Sequence, residues 1–145
     1  MSDKVVADAS VIIKWVIPED YAEYALKLRD DFLDGNVDVH APSIILLEAA
    51  SALRKYCLRG FIGRDVAEKA LKLIANSEIR LHEIDLNLAL KSLKTSLESN
   101  VTVYDAAYIT LASSLGAIMY TADDRLLNNQ KVLELKIVKH IKDYQ

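Results

Sequence analysis

Val5-Val6-Ala7-Asp8-Ala9-Ser10 begins as an unbroken apolar run and then sets a carboxylate where the run stops. Consecutive apolar residues suit a strand covered on both faces, the kind that builds parallel sheets. Ala117 to Thr121 repeats the pattern, and Asp123 follows two residues later. Both acids therefore stand at the carboxyl ends of strands. In open parallel sheets, ligands bind along that edge.

The remaining chain alternates strand-like and helix-like spacing. Ala25, Leu28 and Phe32 line one helical face; Val37–Ala41 reads as a strand; Ser43 to about Arg59 reads as a helix. Val66, Ala70, Leu73 and Ile74 form another helical stripe. Ile79–Ile84 alternates as a strand, and Leu86, Leu90, Leu93 and Leu97 mark the next helix. Residues 102–115 read as helix and 137–141 as a last strand. Pro18, Gly35, Pro42, Gly60, Gly63 and Gly116 fall between these segments, as turn and cap residues should. Strands separated by helices imply crossover connections and a mostly parallel sheet covered on both faces.

Composition fits one domain over residues 1–145, with 52% hydrophobic and 27% charged residues. A net charge of -3 argues against a broad basic nucleic-acid coat, so any RNA contact must be local or assisted by cations. Cys57 is the sole cysteine, which excludes an intrachain disulfide and a thiolate zinc site. Met1-Ser2-Asp3-Lys4 shows no signal-peptide layout, and no apolar stretch reaches membrane-span length. The expected location is cytoplasmic, without membrane association.

Two further acids stand out. Glu48 interrupts Ile44-Ile45-Leu46-Leu47-Glu48-Ala49-Ala50, and Asp105 lies among Val101, Thr102, Tyr108 and Ile109 at helical spacing. Both are placed on faces that a helix would press against the sheet. A carboxylate there is costly unless paired or bound to a cation. No Lys or Arg lies within four residues of Asp105, or within five of Glu48. Convergence would cost roughly 4 kcal/mol per pair at about 4 Å and an effective dielectric near 20. A divalent ion removes that cost, and an all-oxygen donor set suits Mg²⁺ or Mn²⁺. Capping is the alternative: Asp8 and Asp123 as N-caps, Thr102-x-x-Asp105 as a capping box, Glu48 favoured by its helix dipole. The two readings are compatible.

Val6-Ala7-Asp8-Ala9-Ser10, Leu47-Glu48-Ala49, Thr102–Tyr108 and Tyr120-Thr121-Ala122-Asp123-Asp124-Arg125-Leu126 together resemble the PIN-domain ribonucleases, most closely VapC-type toxins of toxin–antitoxin pairs. The resemblance implies a three-layer α/β/α sandwich with a five-stranded parallel sheet. It also implies Mg²⁺- or Mn²⁺-dependent endoribonuclease activity leaving a 3′-hydroxyl and a 5′-phosphate, inhibition by a small antitoxin, and a homodimer. Carried over by position, Asp8, Glu48 and Asp105 would be metal ligands, with Asp123 completing the acidic pocket. Ser10 and Thr121 would supply hydroxyls. Asp124 follows Asp123 directly and competes with it for the fourth place.

Arg54, Lys55, Arg59 and Arg64 cluster near the Gly60 turn, and Lys14 and Arg125 flank the acids. Lys14, Arg54 and Arg125 are the candidates for RNA phosphate contacts; a solvated face is the alternative. His40, His82 and His140 show no paired ligand spacing and read as structural. Trp15 and Ile17 either edge a groove for a partner helix or close the core. Two other functions remain in view. A phosphoacceptor domain would use Asp85 after the third strand, but no second acid adjoins Asp8. A non-catalytic RNA- or protein-binding module would have no need for four acids.

Overall fold

The computed structural model describes residues 3–145, so Met1 and Ser2 of the amino-terminal stretch lie outside it. Five strands form one parallel sheet: β1 (Asp3–Ala7), β2 (Val37–Pro42), β3 (Arg80–His82), β4 (Ile118–Thr121) and β5 (Val138–His140). Their order is β3-β2-β1-β4-β5. β1 is central because Val6 and Ala7 have no exposed surface and can pair on both sides. Val6 lies beside His40 on one flank and Met119 on the other. From β1 the chain adds strands outward through β2 to β3, then returns to start β4 on the opposite flank. Between β1 and β4 the winding reverses, and such a reversal opens a crevice at the carboxyl edge.

Helices cover the sheet to complete an α/β/α sandwich: α1 (Ala9–Ile12), α2 (Ala22–Leu33), α3 (Ile45–Leu58), α4 (Arg64–Ala75), α5 (Leu86–Ser99), α6 (Val103–Leu115), α7 (Asp124–Leu127) and α8 (Gln130–Glu134). α6 lies against β1, β2 and β4, and every residue from Ala106 to Ala112 is buried. A helix apolar all round belongs inside a fold. It ends at Gly116, whose φ of 63° supplies the left-handed cap. No helix among the described residues is long and apolar enough to cross a membrane.

Three sequence expectations shift. The strand read over residues 79–84 narrows to Arg80–His82 because β3 is an edge strand paired only with β2. In α4 only Ala70 and Ile74 are buried, while Val66 and Leu73 are exposed, since this helix packs on α3. The leucines of α5 depart furthest. Leu86, Leu90, Leu93 and Leu97 are 74%, 57%, 48% and 76% exposed. The face turned to α6 is instead small and hydroxylic: Ser92 and Ser99 are buried, and Thr110 Oγ1 lies 3.3 Å from Thr95 Oγ1. The periodicity located the helix correctly but not its inner face.

Trp15 and Ile17 close the core. Trp15 donates its indole N–H to the Ala25 carbonyl at 2.9 Å and stacks on Phe32, and Ile17 packs with Ile13, Leu53 and Ala70. His40 Nδ1 and His82 Nε2 are 2.8 Å apart, linking β2 to β3, and burial holds both imidazoles below their usual pKa. His140 Nδ1 accepts from the Lys142 N–H.

Candidate active site

The crevice at the strand reversal is a cavity of about 840 Å³, and Asp8, Glu48, Asp105 and Asp123 all line it. They arrive from four elements: the end of β1, the first turn of α3, the first turn of α6, and the start of α7. Capping and convergence hold together. Asp8 caps α1 by accepting from the Val11 N–H, Asp123 caps α7 by accepting from the Arg125 N–H, and Thr102 caps α6 by accepting from the Asp105 N–H. A side chain that caps a helix is fixed in direction, and these caps hold their elements at one rim.

Asp8 forms the floor, only 6% exposed. Ser10 donates to Oδ1 at 2.5 Å and Thr121 donates to Oδ2 at 2.5 Å, so β1 and β4 are joined through one carboxylate. The Ala122 N–H donates to Ser10 Oγ and the Asp123 N–H to Thr121 Oγ1, which carries the network onto the loop bearing Asp123. Burial pushes Asp8 up to about 6 against the lowering effect of the two hydroxyls, and the charge of Asp105 adds to the rise. Glu48 is half-buried, with the Tyr108 hydroxyl donating to Oε1 at 2.5 Å; burial raises its pKa and Asp105 contributes. Burial also raises Asp105, followed by the charge of Asp123, while a hydrogen bond with Thr102 and then the charge of Arg125 oppose the rise. Asp105 thus acts on Asp8 and Glu48, and Asp123 on Asp105, as like charges lining one cavity do.

Asp123 lines the cavity, whereas Asp124 is 84% exposed and points its Oδ1 toward His140. Of the two neighbours, Asp123 is the one that faces the cavity. Arg125 lines the rim and pairs with Asp123 at 3.5 Å. Lys14 also lines the cavity but is buried, its Nζ 2.9 Å from Glu19 Oε1; the Tyr56 hydroxyl donates to Glu19 Oε2. Arg54 is not among the lining residues. On α3 the positions facing the cavity are Glu48, Ser51, Ala52, Lys55, Tyr56 and Arg59, spaced by three and four, and Arg54 falls off that face. Lys55 and Arg59 line the cavity where Arg54 does not, and the helical spacing from Glu48 was the signal for them. Glu19 had no such signal: its place depends on Lys14 and Tyr56, which only folding brings to it. Asp85 lies elsewhere, capping α5 through the Leu88 N–H, which removes the acid a phosphoacceptor site would need.

An all-carboxylate and hydroxyl donor set is that of a hard divalent cation. Among the described residues, no three His, Cys, Asp or Glu side chains close into a complete binding group as they stand. Mg²⁺ does not require one, since it keeps several waters and binds through one or two carboxylates plus substrate phosphate. The raised carboxylates around one cavity fit such a partly hydrated ion.

The family model described as PIN domain matches residues 5–132. The chain is 30% identical over 133 residues to "Ribonuclease VapC3" of Pyrobaculum aerophilum, an alignment covering 85% of this chain and 92% of that protein. Among solved structures, one from Pyrobaculum aerophilum superposes with a TM-score of 0.69 at 23% identity, covering 98% of this chain and 93% of that one. A toxin–antitoxin complex from Klebsiella pneumoniae contains a chain with a TM-score of 0.64 at 14% identity, covering 94% and 97%.

Proposed function

Because this chain belongs to the PIN domain family, we propose that it is an endoribonuclease that hydrolyses RNA phosphodiester bonds, acting as the toxin of a toxin–antitoxin pair. The observation that carries the reading is the meeting of Asp8, Glu48, Asp105 and Asp123, from four separate elements, on one cavity at the strand reversal. The name of the Pyrobaculum relative, a ribonuclease, supports the reaction class.

Asp8, Glu48, Asp105 and Asp123 would hold Mg²⁺ or Mn²⁺, which supplies an activated water and neutralises charge on the phosphate. Ser10 and Thr121 keep the Asp8 carboxylate in one orientation by donating to both of its oxygens. Tyr108 engages one oxygen of Glu48 and leaves the other for the cation or the reacting groups. Arg125 at the rim is positioned for a phosphate oxygen of the substrate. The purified chain is expected to cut a structured RNA in the presence of Mg²⁺ or Mn²⁺ and to stop in excess chelator. Cleavage that continues in chelator would remove the cation from the reaction.

A second copy of the chain is the partner proposed for α5. Four leucines face solvent while the hydroxyl-bearing face is buried, the reverse of what a monomer surface favours. Leu90→Glu combined with Leu93→Glu is expected to convert a dimer to a monomer in sedimentation experiments, with the helical circular-dichroism signal preserved. An unchanged sedimentation coefficient would place any self-association elsewhere.

A further inference from the structure

The cavity runs along α3, and Glu19 and Asp20 line it besides the four carboxylates, Glu19 being held by Lys14 and Tyr56. At one end lie the four carboxylates. Further along, Lys55 and the C-cap residue Arg59 continue the helical face that carries Glu48, seven and eleven residues on. With a rise of about 1.5 Å per residue, they stand about 10 and 16 Å along the helix from Glu48. Both are exposed, and among the described residues neither belongs to an ion pair. Lys14, the nearby buried cation, is by contrast committed to Glu19. In a chain of net charge -3, these two cations line a crevice that carries four carboxylates and, among the described residues, form no ion pair there.

We propose that Lys55 and Arg59 form a phosphate track that holds the backbone of a single-stranded RNA segment a few nucleotides from the bond placed at the carboxylates. At about 3.4 Å of axis per phosphate along a stacked strand, the two cations lie within reach of one continuous segment. The floor of the cavity explains the preference for a single strand: Asp8 is buried, and a phosphate brought to it must leave the surface of a duplex. Tyr104, exposed and lining the cavity near Asp105, offers a ring on which an unpaired base can stack. The track gives the substrate a direction, because the two ends of α3 recognise different parts of it. This inference rests on the ribonuclease reading and adds the residues that set the path of its substrate.

The test is a fluorescence-anisotropy titration of the full chain carrying Asp105→Asn, so that RNA is not consumed, with Mg²⁺ present. The probe is a labelled single-stranded RNA of eight nucleotides, repeated with a dinucleotide. Adding Lys55→Ala and Arg59→Ala should weaken binding of the longer RNA about tenfold and lower the slope of log affinity against log salt by about 1.4, at ~0.7 per phosphate contact on a single strand. The dinucleotide, too short to span both ends, should bind alike in both proteins. Lys91→Ala with Lys94→Ala removes the same charge from the exposed face of α5, away from the cavity, and should leave affinity and slope unchanged. The track is overturned if the two double variants bind RNA identically. It is also overturned if the Lys55/Arg59 variant keeps its RNA affinity while losing that for an acidic peptide, which would assign the cations to a protein partner. The two readings fail separately: a wild type that cuts RNA with no change in the track variant's affinity sinks the track alone, whereas weakened binding without any wild-type cleavage sinks the nuclease alone.

Discussion

Asp105→Asn is expected to reduce RNA cleavage by at least about 10³-fold, equivalent to about 4 kcal/mol of transition-state stabilisation, while leaving the protein folded. Asp105 adjoins the other three acids electrically: its charge raises Asp8 and Glu48, and Asp123 raises Asp105 in turn. Removing it takes one carboxylate from the proposed cation site. The helix survives, because the backbone N–H of residue 105 still donates to Thr102 Oγ1 in the variant. Melting in chelator should therefore match or exceed wild type, since one source of repulsion is gone. Activity and stability move in opposite directions, which separates a functional acid from a structural one. Cleavage within tenfold of wild type would put Asp105 outside the chemistry.

Asp8→Asn is expected to stabilise the chelated protein near neutral pH by up to about 3 kcal/mol. The carboxyl of Asp8 sits at about 6 in the folded chain against an unfolded reference of 3.8. Between these values the native state holds a proton that the unfolded state has released. Stability from this group is thus fully present below about pH 4, falls by about 1.4 kcal/mol per unit as pH rises, and is lost above about pH 6. Asn carries no charge and lacks that slope, and it remains a competent N-cap for α1. The difference between the two unfolding curves, measured with urea at several pH values, isolates Asp8 from the other carboxylates. Imperfect pairing of the amide with the hydroxyls of Ser10 and Thr121 subtracts from the gain. Saturating Mn²⁺ should reverse the order, because binding to the native state adds stability in proportion to occupancy and the variant has lost one of the proposed ligands. A variant less stable than wild type at pH 7 in chelator would show that the Asp8 carboxylate is held for packing and not against an electrostatic penalty.

Both predictions depend on acids that local sequence made conspicuous. Asp8 and Asp123 were visible because each ends an apolar run, and a strand of period two or a buried run has a readable end. Glu48 and Asp105 were visible as charges on helical faces otherwise apolar. Their helices, and the alternation of strand and helix that makes the sheet parallel, follow from spacing over a few residues. The positions of Lys55, Tyr56 and Arg59 beside Glu48 follow from the same 3.6-residue period, though they stand out only once Glu48 is known to face a cavity.

Other features depend on which surfaces meet, and no local period encodes that. The leucines of α5 looked like a core stripe, yet α6 accepts the Ser92 and Ser99 face, so the apolar side was left for solvent or a partner. Glu19 gained its place from Lys14 and Tyr56, the latter 37 residues away. Asp123 was separated from Asp124 by orientation alone. Local spacing determined the elements, their order along the chain and the acids at their ends, because dihedral preference and amphipathic period act over a few residues. Tertiary structure decided the strand order, and with it the placing of β4 against β1 that lets Thr121 bond to Asp8 across 113 residues; that pairing depends on burial summed over the whole sheet.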